Sequence, residues 1–136
     1  MGRRPDLNRL SLLPAGEPPV PPAVADNGPA LVEWRRVVPI LTAADLLAKT
    51  DVATLASYCT TYSRWLRAER EVAGLTSLIV EGPRGPALHP LARLSRDLGA
   101  DLRSLAMALG LNAAARHRLR ASTAEKMSDD VAEFLQ

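Results

Sequence analysis

Side chains that could bind a metal or act as nucleophiles are few in this chain and far apart in sequence. Metal sites in proteins usually recruit cysteine and histidine, and the sequence offers only Cys59, His89 and His117. Cys59 falls on an apolar stripe, which is typical of a small buried hydrophobic residue. His89 precedes a proline, where helix capping or packing in a turn is expected rather than catalysis. The sequence therefore predicts no metal site and no cofactor.

The acidic residues and loops give no sign of catalysis either. No glycine-rich loop followed by Lys-Ser or Lys-Thr is present, so we do not expect the chain to bind ATP by itself. Asp97 and Asp101 lie four residues apart, but three arginines alternate with them. Such alternation is typical of a solvated helix face or of a contact between subunits. We therefore expect a protein that is not an enzyme.

Arginine is the residue type that most clearly suggests a binding function. Of the 17 positive residues, 15 are arginine, which forms paired hydrogen bonds to phosphate. A GC-rich genome would also enrich arginine. Three clusters could contact nucleic acid: Arg3, Arg4 and Arg9; Arg93, Arg96 and Arg103; and Arg116, Arg118 and Arg120, with His117 among them.

The three clusters differ in the alternatives open to them. The first, on a predicted flexible arm, could displace counterions from DNA or simply keep the chain soluble. The second has Asp97 and Asp101 close by, so pairing with them or with another subunit is favoured. The third has no acid among its members, which favours phosphate contact. The predicted DNA-contacting residues are Arg3, Arg4, Arg9, Arg116, Arg118 and Arg120.

Composition fits one small helical domain. The chain has 136 residues, of which 47% are hydrophobic and only five are aromatic. Alanine and leucine dominate the apolar residues, which favours helices packed on helices. Residues 1–120 carry 16 Lys and Arg against 11 acids, whereas residues 121–136 carry one Lys and four acids. A basic body with an acidic tail is common in proteins that handle nucleic acid.

Proline, glycine and apolar spacing divide the chain into elements. Seven of the eleven prolines lie in residues 1–29, which predicts an extended arm without a helix. A first helix is predicted over residues 30–41, kinked or ended by Pro39, with Thr42 capping a short turn through Leu47. A second long helix should begin after Thr50, reach residue 73 and end at Gly74.

The second half of the chain predicts a hairpin and further helices. A β-branched run at residues 77–81, a Gly/Pro turn and residues 87–89 predict a small β-hairpin. A leucine-striped helix should follow from Pro90, with Gly110 as its left-handed terminator. Asn112 could cap a short basic helix. The acidic tail carries Val131, Phe134 and Leu135 on one side, which predicts a weak amphipathic helix or a short segment that docks onto a partner.

These patterns predict a mainly α fold with two long helices, short helices and one small β-hairpin, preceded by an extended Pro-rich arm. We divide it into the arm (residues 1–29), a helical domain for oligomerisation and DNA binding (30–120) and the acidic tail (121–136). A single cysteine cannot form an intramolecular disulfide, which favours a reducing cytoplasm. No run of 18 apolar residues occurs, so no membrane span is expected.

An ordered set of motifs also carries a family resemblance. The set comprises Gly-Arg-Arg-Pro at residues 2–5, Glu-Trp at 33–34 with an apolar run after it, the helix at 51–64, His-Pro at 89–90, Leu-Gly-Leu-Asn at 109–112 and Ala-Arg-His-Arg-Leu at 115–119. Over about residues 1–120, this order resembles the small subunit of phage DNA-packaging terminase. The branch resembled is that of tailed phages with cohesive-end genomes.

The resemblance implies a function. Small terminase subunits form ring-shaped homo-oligomers, recognise double-stranded viral DNA in the host cytoplasm and present it to the large subunit, which holds the ATPase and nuclease. Two alternatives remain at this point: a structural scaffold whose arginines pair between subunits, and a small DNA-binding regulator. The second is weakened because few Asn and Gln residues are available to read bases.

Overall fold

The computed structural model describes residues 17–47 and 51–135, apart from the side chains of residues 113–116 and 118–123. Within that part the fold is mainly helical with one hairpin, which confirms the predicted class. Its elements are, in order, α1 Pro22–Ala25, α2 Gly28–Ala43, α3 Val52–Ala73, β1 Ile79–Gly82, β2 Gly85–Leu88, α4 Pro90–Ala108 and α5 Ala113–Phe134.

The end of the Pro-rich segment is packed rather than extended. Its last part forms the helical turn α1, which the expectation of an arm without a helix missed. Pro22 occupies the first turn of α1, where a missing N–H removes no helical hydrogen bond. Val24 in this turn is fully buried in the core. The Arg3, Arg4 and Arg9 positions lie outside the described residues.

Helix α2 is longer than predicted at both ends. Asn27 caps it, since its Oδ1 accepts a hydrogen bond from the Ala30 backbone N–H at 3.3 Å. The same oxygen accepts the Ser63 hydroxyl of α3 at 2.7 Å, which ties the helix start to its neighbour. Pro39 lies inside the helix, so the alternative that it ends the helix there is wrong. Pro39 is exposed, so water can satisfy the carbonyl that its missing N–H leaves free.

The end of α2 has a left-handed cap that the sequence reasoning missed. Asp45, with φ 53°, occupies the position usually taken by glycine. The Leu46 N–H reaches back to the Leu41 carbonyl at 2.9 Å, and the Asp45 N–H to that of Thr42 at 3.1 Å. Thr42 therefore lies in the last turn of α2. The prediction that it caps a new turn is wrong.

The core is formed mainly between α1, α2 and α3, with the end of α4 joining it. Its largest fully buried side chains are Leu41, Leu55, Val24, Val37, Val38 and Cys59. Trp34 of α2 and Leu109, just after α4, complete the cluster. These α2 residues recur at helical spacing on one face, as expected for an amphipathic helix.

A buried carboxylate links α2 to α3 inside this core. Only 3% of Glu33 is exposed, although carboxylates are rarely buried without a partner. Its Oε1 accepts a hydrogen bond from the Tyr58 hydroxyl at 2.9 Å. Arg36 donates to both carboxylate oxygens, at 3.0 Å from Nε and 2.5 Å from the second nitrogen. Arg36 thus neutralises the carboxylate from within one turn of α2, and Tyr58 links the carboxylate to α3.

The three groups shift one another's proton affinity. Burial alone raises the pKa of Glu33, but hydrogen bonds from Arg36 and Tyr58 outweigh it and hold that pKa below its ordinary value. Burial, together with the bond to Glu33, raises the pKa of the Tyr58 phenol. Tyr58 therefore stays a neutral donor and Glu33 a charged acceptor at neutral pH.

Helix α4 contributes small buried residues as well as partly buried leucines to the packing. Ser95 and Gly99 are its buried residues, and Ser95 donates a hydrogen bond to Glu69 of α3. A Cβ at position 99 would lie 3.5 Å from the Trp65 indole nitrogen. Of the predicted leucine stripe, Leu109 is buried, while Leu94 remains 49% exposed. Leu102 and Leu105 are partly buried against the core, so the stripe faces the body except at Leu94.

The predicted hairpin is present between α3 and α4. Its strands are antiparallel, with Ile79 opposite Leu88 and Gly82 opposite Gly85. Gly85 has a φ of 102°, which favours glycine after the two-residue turn. Ile79 is 55% exposed and Leu78 is 49% exposed. A cleft of about 470 Å³ separates the hairpin from the first turns of α4.

Gly110 separates α4 from α5 as predicted. It has a φ of 73°, its N–H binds the Met107 carbonyl at 3.1 Å, and the Leu111 N–H binds that of Ala106 at 2.9 Å. Both bonds belong to the Schellman motif. The helix that follows spans 22 residues, so the prediction of a short basic helix is wrong. Basic segment and acidic tail share one continuous helix.

Replacing Glu33 with Gln should destabilise the protein in a pH-dependent way. We expect the free energy of unfolding to fall by about 1–3 kcal/mol at pH 7, because the ion pair with Arg36 is lost. Since folding lowers the pKa of Glu33, its contribution is present above the unfolded value and disappears as the pH falls through the folded one. Urea unfolding at pH 7 and pH 3 measures both effects. The difference between wild type and variant should be smaller at pH 3 than at pH 7.

The control for that experiment is Glu71→Gln. Glu71 pairs with Arg67 at 3.3 Å, but 84% of the Arg67 side chain is exposed. Exposed pairs contribute little, so we expect a change below about 0.5 kcal/mol. Equal effects of the two substitutions would contradict the structural importance of Glu33.

Replacing Gly110 with Ala should destabilise the end of α4. An L-residue with a side chain costs roughly 1 kcal/mol in the left-handed conformation, and thermal unfolding would report that loss. Gly74→Ala is the matched control, because Gly74 has a φ of −84° and an added Cβ would meet only a carbonyl oxygen at 3.6 Å. We expect that control to be neutral or slightly stabilising. Equal losses would argue against the cap.

Candidate nucleic-acid interface

The third predicted arginine cluster lies on helix α5. The described backbone places positions 116, 118 and 120 in its first half, and His117 between them is exposed. At 3.6 residues per turn, positions 116 and 120 lie one turn apart on the same face. Position 118 lies on the opposite side of the helix. The three positions therefore cannot all face one straight row of phosphates.

The second cluster forms a basic face on α4. Arg93, Arg96 and Arg103 are exposed and fall within a sector of about 80° around the helix. Arg96 pairs with Asp97 at 3.7 Å, and both side chains are more than 60% exposed. In the described part of the chain, Arg93 and Arg103 have no ion pair. The expected pairing with the acids of the same helix is thus limited to one weak contact.

The arginines of α3 are only partly neutralised by their neighbours. Arg67 pairs with Glu71 as described above, and both are solvent-facing. Glu69 instead accepts a hydrogen bond from Ser95 on α4. Arg64 and Arg70 are exposed, without an ion pair among the residues that the structure describes. The body therefore offers guanidinium groups beyond the predicted ones, and the signal missed was the lack of acids at helical spacing.

The histidine and cysteine side chains have structural roles. His89 caps α4, because its Nδ1 accepts a hydrogen bond from the Leu91 backbone N–H at 3.0 Å. Cys59 is fully buried, and burial, together with the nearby Glu33 charge, raises the pKa of its thiol to about 12. A thiol in this state is a poor nucleophile. No group of three or more His, Cys, Asp or Glu residues within the described ranges is placed to hold a metal ion.

A second cavity lies beside the ion pair of Glu33 and Arg36. It has a volume of about 300 Å³ and is lined by residues of α2, α3 and the turn after α4, including Ile40, Leu46 and Leu111. Arg36 and Tyr58 also line it, and both are hydrogen-bonded to Glu33. Neither cavity brings together an acid, a base and a nucleophile from the described residues. The arrangement fits binding through surfaces better than chemistry in a pocket.

The predicted docking residues are exposed on the second half of α5. Val131 is 57% exposed, Leu135 78% and Phe134 91%, and Met127 on the same helix is 63% exposed. Met127, Val131 and Phe134 follow one another at spacings of four and three, so they form one stripe. Large apolar side chains this exposed are typical of a surface that binds a partner.

Comparisons with known proteins identify a family. A family model described as phage terminase, small subunit, matches residues 30–126, well over half of the 136-residue chain. The match begins in α2 and ends within α5, so it includes most of the core, the hairpin and the third arginine cluster. No curated protein and no solved structure matches the chain. None of the helices in the described part is long and apolar enough to cross a membrane.

Proposed function

The chain belongs to the phage terminase small-subunit family, and we propose that it binds viral double-stranded DNA and presents it to the large terminase subunit. Family membership points to a role in phage DNA packaging. The observation that carries the finer proposal is the match over residues 30–126, which includes both the helical core and the basic half of α5. We place this activity in the host cytoplasm and assign the chain no catalytic step and no cofactor.

DNA contact is assigned to the basic residues outside the folded core. Arginine side chains bind phosphate without reading sequence, and each contact releases counterions. The proposed contacts are the arm residues Arg3, Arg4 and Arg9 and the helix residues Arg116, Arg118 and Arg120. The exposed arginines of α4 add positive charge to the same small body. Several weak contacts per subunit would become strong binding when subunits assemble.

Self-assembly is the second part of the proposal. A short chain with few aromatic residues buries a small core, and apolar side chains remain exposed on the hairpin and α4: Leu78, Ile79 and Leu94. We propose that these residues contact a neighbouring subunit in a ring. Residues 30–120 would then form the assembling and DNA-binding domain, with residues 1–29 as arm and 121–136 as tail.

Docking to the large subunit is assigned to Val131, Phe134 and Leu135. Their exposure at the far end of α5 supports this assignment, because they extend beyond the basic half of the same helix. The competing function is a structural scaffold. It is favoured by the same exposed apolar residues and would need no DNA.

DNA binding is tested by the triple variant Arg116→Ala, Arg118→Ala, Arg120→Ala. We expect weaker binding to duplex DNA, and a plot of log affinity against log salt that is shallower by about 2–3, since each lost phosphate contact removes about 0.9. Fluorescence anisotropy over a salt series measures both. The control Arg64→Ala, Arg67→Ala, Arg70→Ala removes the same charge from α3. Equal losses would mean that only net charge matters.

Light scattering of the same variant distinguishes a packaging subunit from a structural scaffold. A packaging subunit should keep an assembly of more than two subunits while it loses DNA. Collapse to a monomer would mean that these arginines hold subunits together, which is the scaffold interpretation.

Docking is tested by Phe134→Ala in a binding assay with the purified large subunit. We expect a loss of affinity of about 5- to 150-fold, because truncation of an aromatic anchor commonly costs roughly 1–3 kcal/mol at an interface. Val32→Ala, which truncates an exposed apolar side chain of α2, is the control and should bind normally. Unchanged binding by Phe134→Ala would rule out this stripe as the docking site.

A further inference from the structure

The seam between α3 and α4 brings a tryptophan and an arginine together beside a glycine. A Cβ at position 99 would lie 3.5 Å from the Trp65 indole nitrogen and 3.6 Å from a terminal nitrogen of Arg103. The two nitrogens are therefore no more than about 7 Å apart. Trp65 is half-buried and Arg103 is exposed, so the pair lies at the surface of the body rather than in its core.

The groups that meet at this seam are hydrogen-bond donors. An indole N–H can only donate, and a guanidinium carries five N–H donors and no acceptor. In the part of the chain that the structure describes, neither Trp65 nor Arg103 has a hydrogen-bond or ion-pair partner. Glu69, one turn further along α3, is hydrogen-bonded to Ser95 instead. Donors that converge without an acceptor favour an anion with several oxygen atoms.

Arg96 extends this group of donors along α4. It lies seven residues before Arg103, which is about two helical turns, and the two positions differ by only about 20° around the axis. Gly99 and Ala100 between them are small, so a ligand can approach the helix surface closely. Arg96 pairs with Asp97 at 3.7 Å, but 67% and 63% of the two side chains are exposed. Such a pair is weak and easily exchanged for another anion.

The acids of α4 lie away from the two arginines. Asp97 is about 100° and Asp101 about 140° around the axis from Arg96, and both are further still from Arg103. Arg93 lies between the basic and the acidic edge, where it lines the cleft beside the hairpin together with Asp97. The basic edge therefore keeps most of its charge available for a partner.

We propose that Arg96, Arg103 and the Trp65 indole N–H form a phosphate-binding site that holds the backbone of duplex DNA against the seam between α3 and α4. The inference rests on the proposed function, to which it adds a contact on the folded body. Guanidinium groups supply charge and paired hydrogen bonds to phosphate oxygens, and the indole adds a neutral donor. About 10.5 Å of helix separates the two arginines, so they can contact different phosphates of one strand, whose charges lie about 3.4 Å apart along the duplex axis.

A site on the seam has a fixed position relative to the core. Ser95 and Gly99 are buried where α4 packs on α3, so the two helices carry the site as one unit. Helix α5 is joined to this unit only through the turn at Gly110. Phosphate contacts fix the orientation of a protein on DNA without reading its sequence. The seam site would thereby set the angle between the duplex and the body of each subunit.

The charged part of the site is tested by Arg96→Ala with Arg103→Ala, using fluorescence anisotropy with a labelled duplex over a salt series. We expect about a tenfold loss of affinity at low salt, and a plot of log affinity against log salt that is shallower by about 1.8. The matched control is Arg64→Ala with Arg70→Ala, which removes the same charge from exposed positions about 100° or more around α3 from Trp65. The control should stay within about threefold of the wild type.

Trp65→Phe tests the neutral donor separately. It keeps an aromatic ring but removes the N–H, so affinity should fall by about three- to tenfold while the salt dependence stays that of the wild type. Trp65 is one of two tryptophans, and the other, Trp34, is buried in the core. Saturation with duplex should therefore change the tryptophan emission of the wild type but not that of Trp65→Phe.

Inorganic phosphate distinguishes DNA from a free anion as the ligand. Titrated at constant ionic strength, it should leave the wild-type emission unchanged, because one phosphate cannot reach both arginines. A change as large as that with duplex would identify a site for free phosphate and overturn the assignment to DNA.

The outcomes separate this site from the proposed function. A wild-type chain without affinity for duplex DNA would overturn both. Wild-type binding together with equal losses in the two double variants would overturn the seam site alone and leave DNA to α5 and the arm. Both Arg96 and Arg103 are exposed, so their variant should keep the wild-type circular dichroism spectrum. A variant that keeps its affinity for DNA but loses assembly mass in light scattering would show that the arginines bind an acidic protein surface instead.

Discussion

The buried carboxylate of Glu33 is the constraint to which the rest of the core must conform. A carboxylate removed from water is costly unless its oxygens are satisfied by donors, and a buried pair loses its benefit when one partner is missing. Arg36 can reach Glu33 only while α2 is helical, and Tyr58 only while α3 lies in one rotational setting against α2. The polar bonds therefore select one arrangement of two helices whose apolar faces would tolerate several. In the same way, the hydrogen bond from Ser63 to Asn27 fixes the start of α2 against α3.

The contact between α3 and α4 leaves a small apolar region exposed at one end of α4. Small residues, Ser95 and Gly99, bring α4 close to α3, and Leu102 and Leu105 pack against the core. Leu94 stays exposed, as do Leu78 and Ile79 of the neighbouring hairpin. The proposed contact between subunits is assigned to this region.

Much of the fold could be predicted because its signals are local. Apolar spacing, the proline at the start of α4 and the left-handed Gly110 are each set by a few neighbouring residues, and they located three helices and the hairpin. The failures have different causes. Asp45 is an uncommon left-handed cap, and Pro39 is tolerated because its face is exposed. Helix α5 was predicted too short because its sequence changes from basic to acidic, and this change made the two parts look like separate segments. The burial of Glu33 was not predicted, although its position three residues after Ala30 placed it on the buried face. The predicted arginine sites remain predictions, since their side chains lie outside the described residues.

The left-handed turn at Gly110 has a mechanical consequence. Helix α5 is about 33 Å long and is joined to the body through residues 109–112, so it acts as a lever with its pivot at one glycine. A rotation of 10° at that pivot would move the far end of α5 by about 6 Å, close to the rise of one helical turn. The body can stay rigid while the apolar residues at the far end of α5 occupy several positions. Small backbone changes at Gly110 would thereby set the reach of each subunit within an assembly.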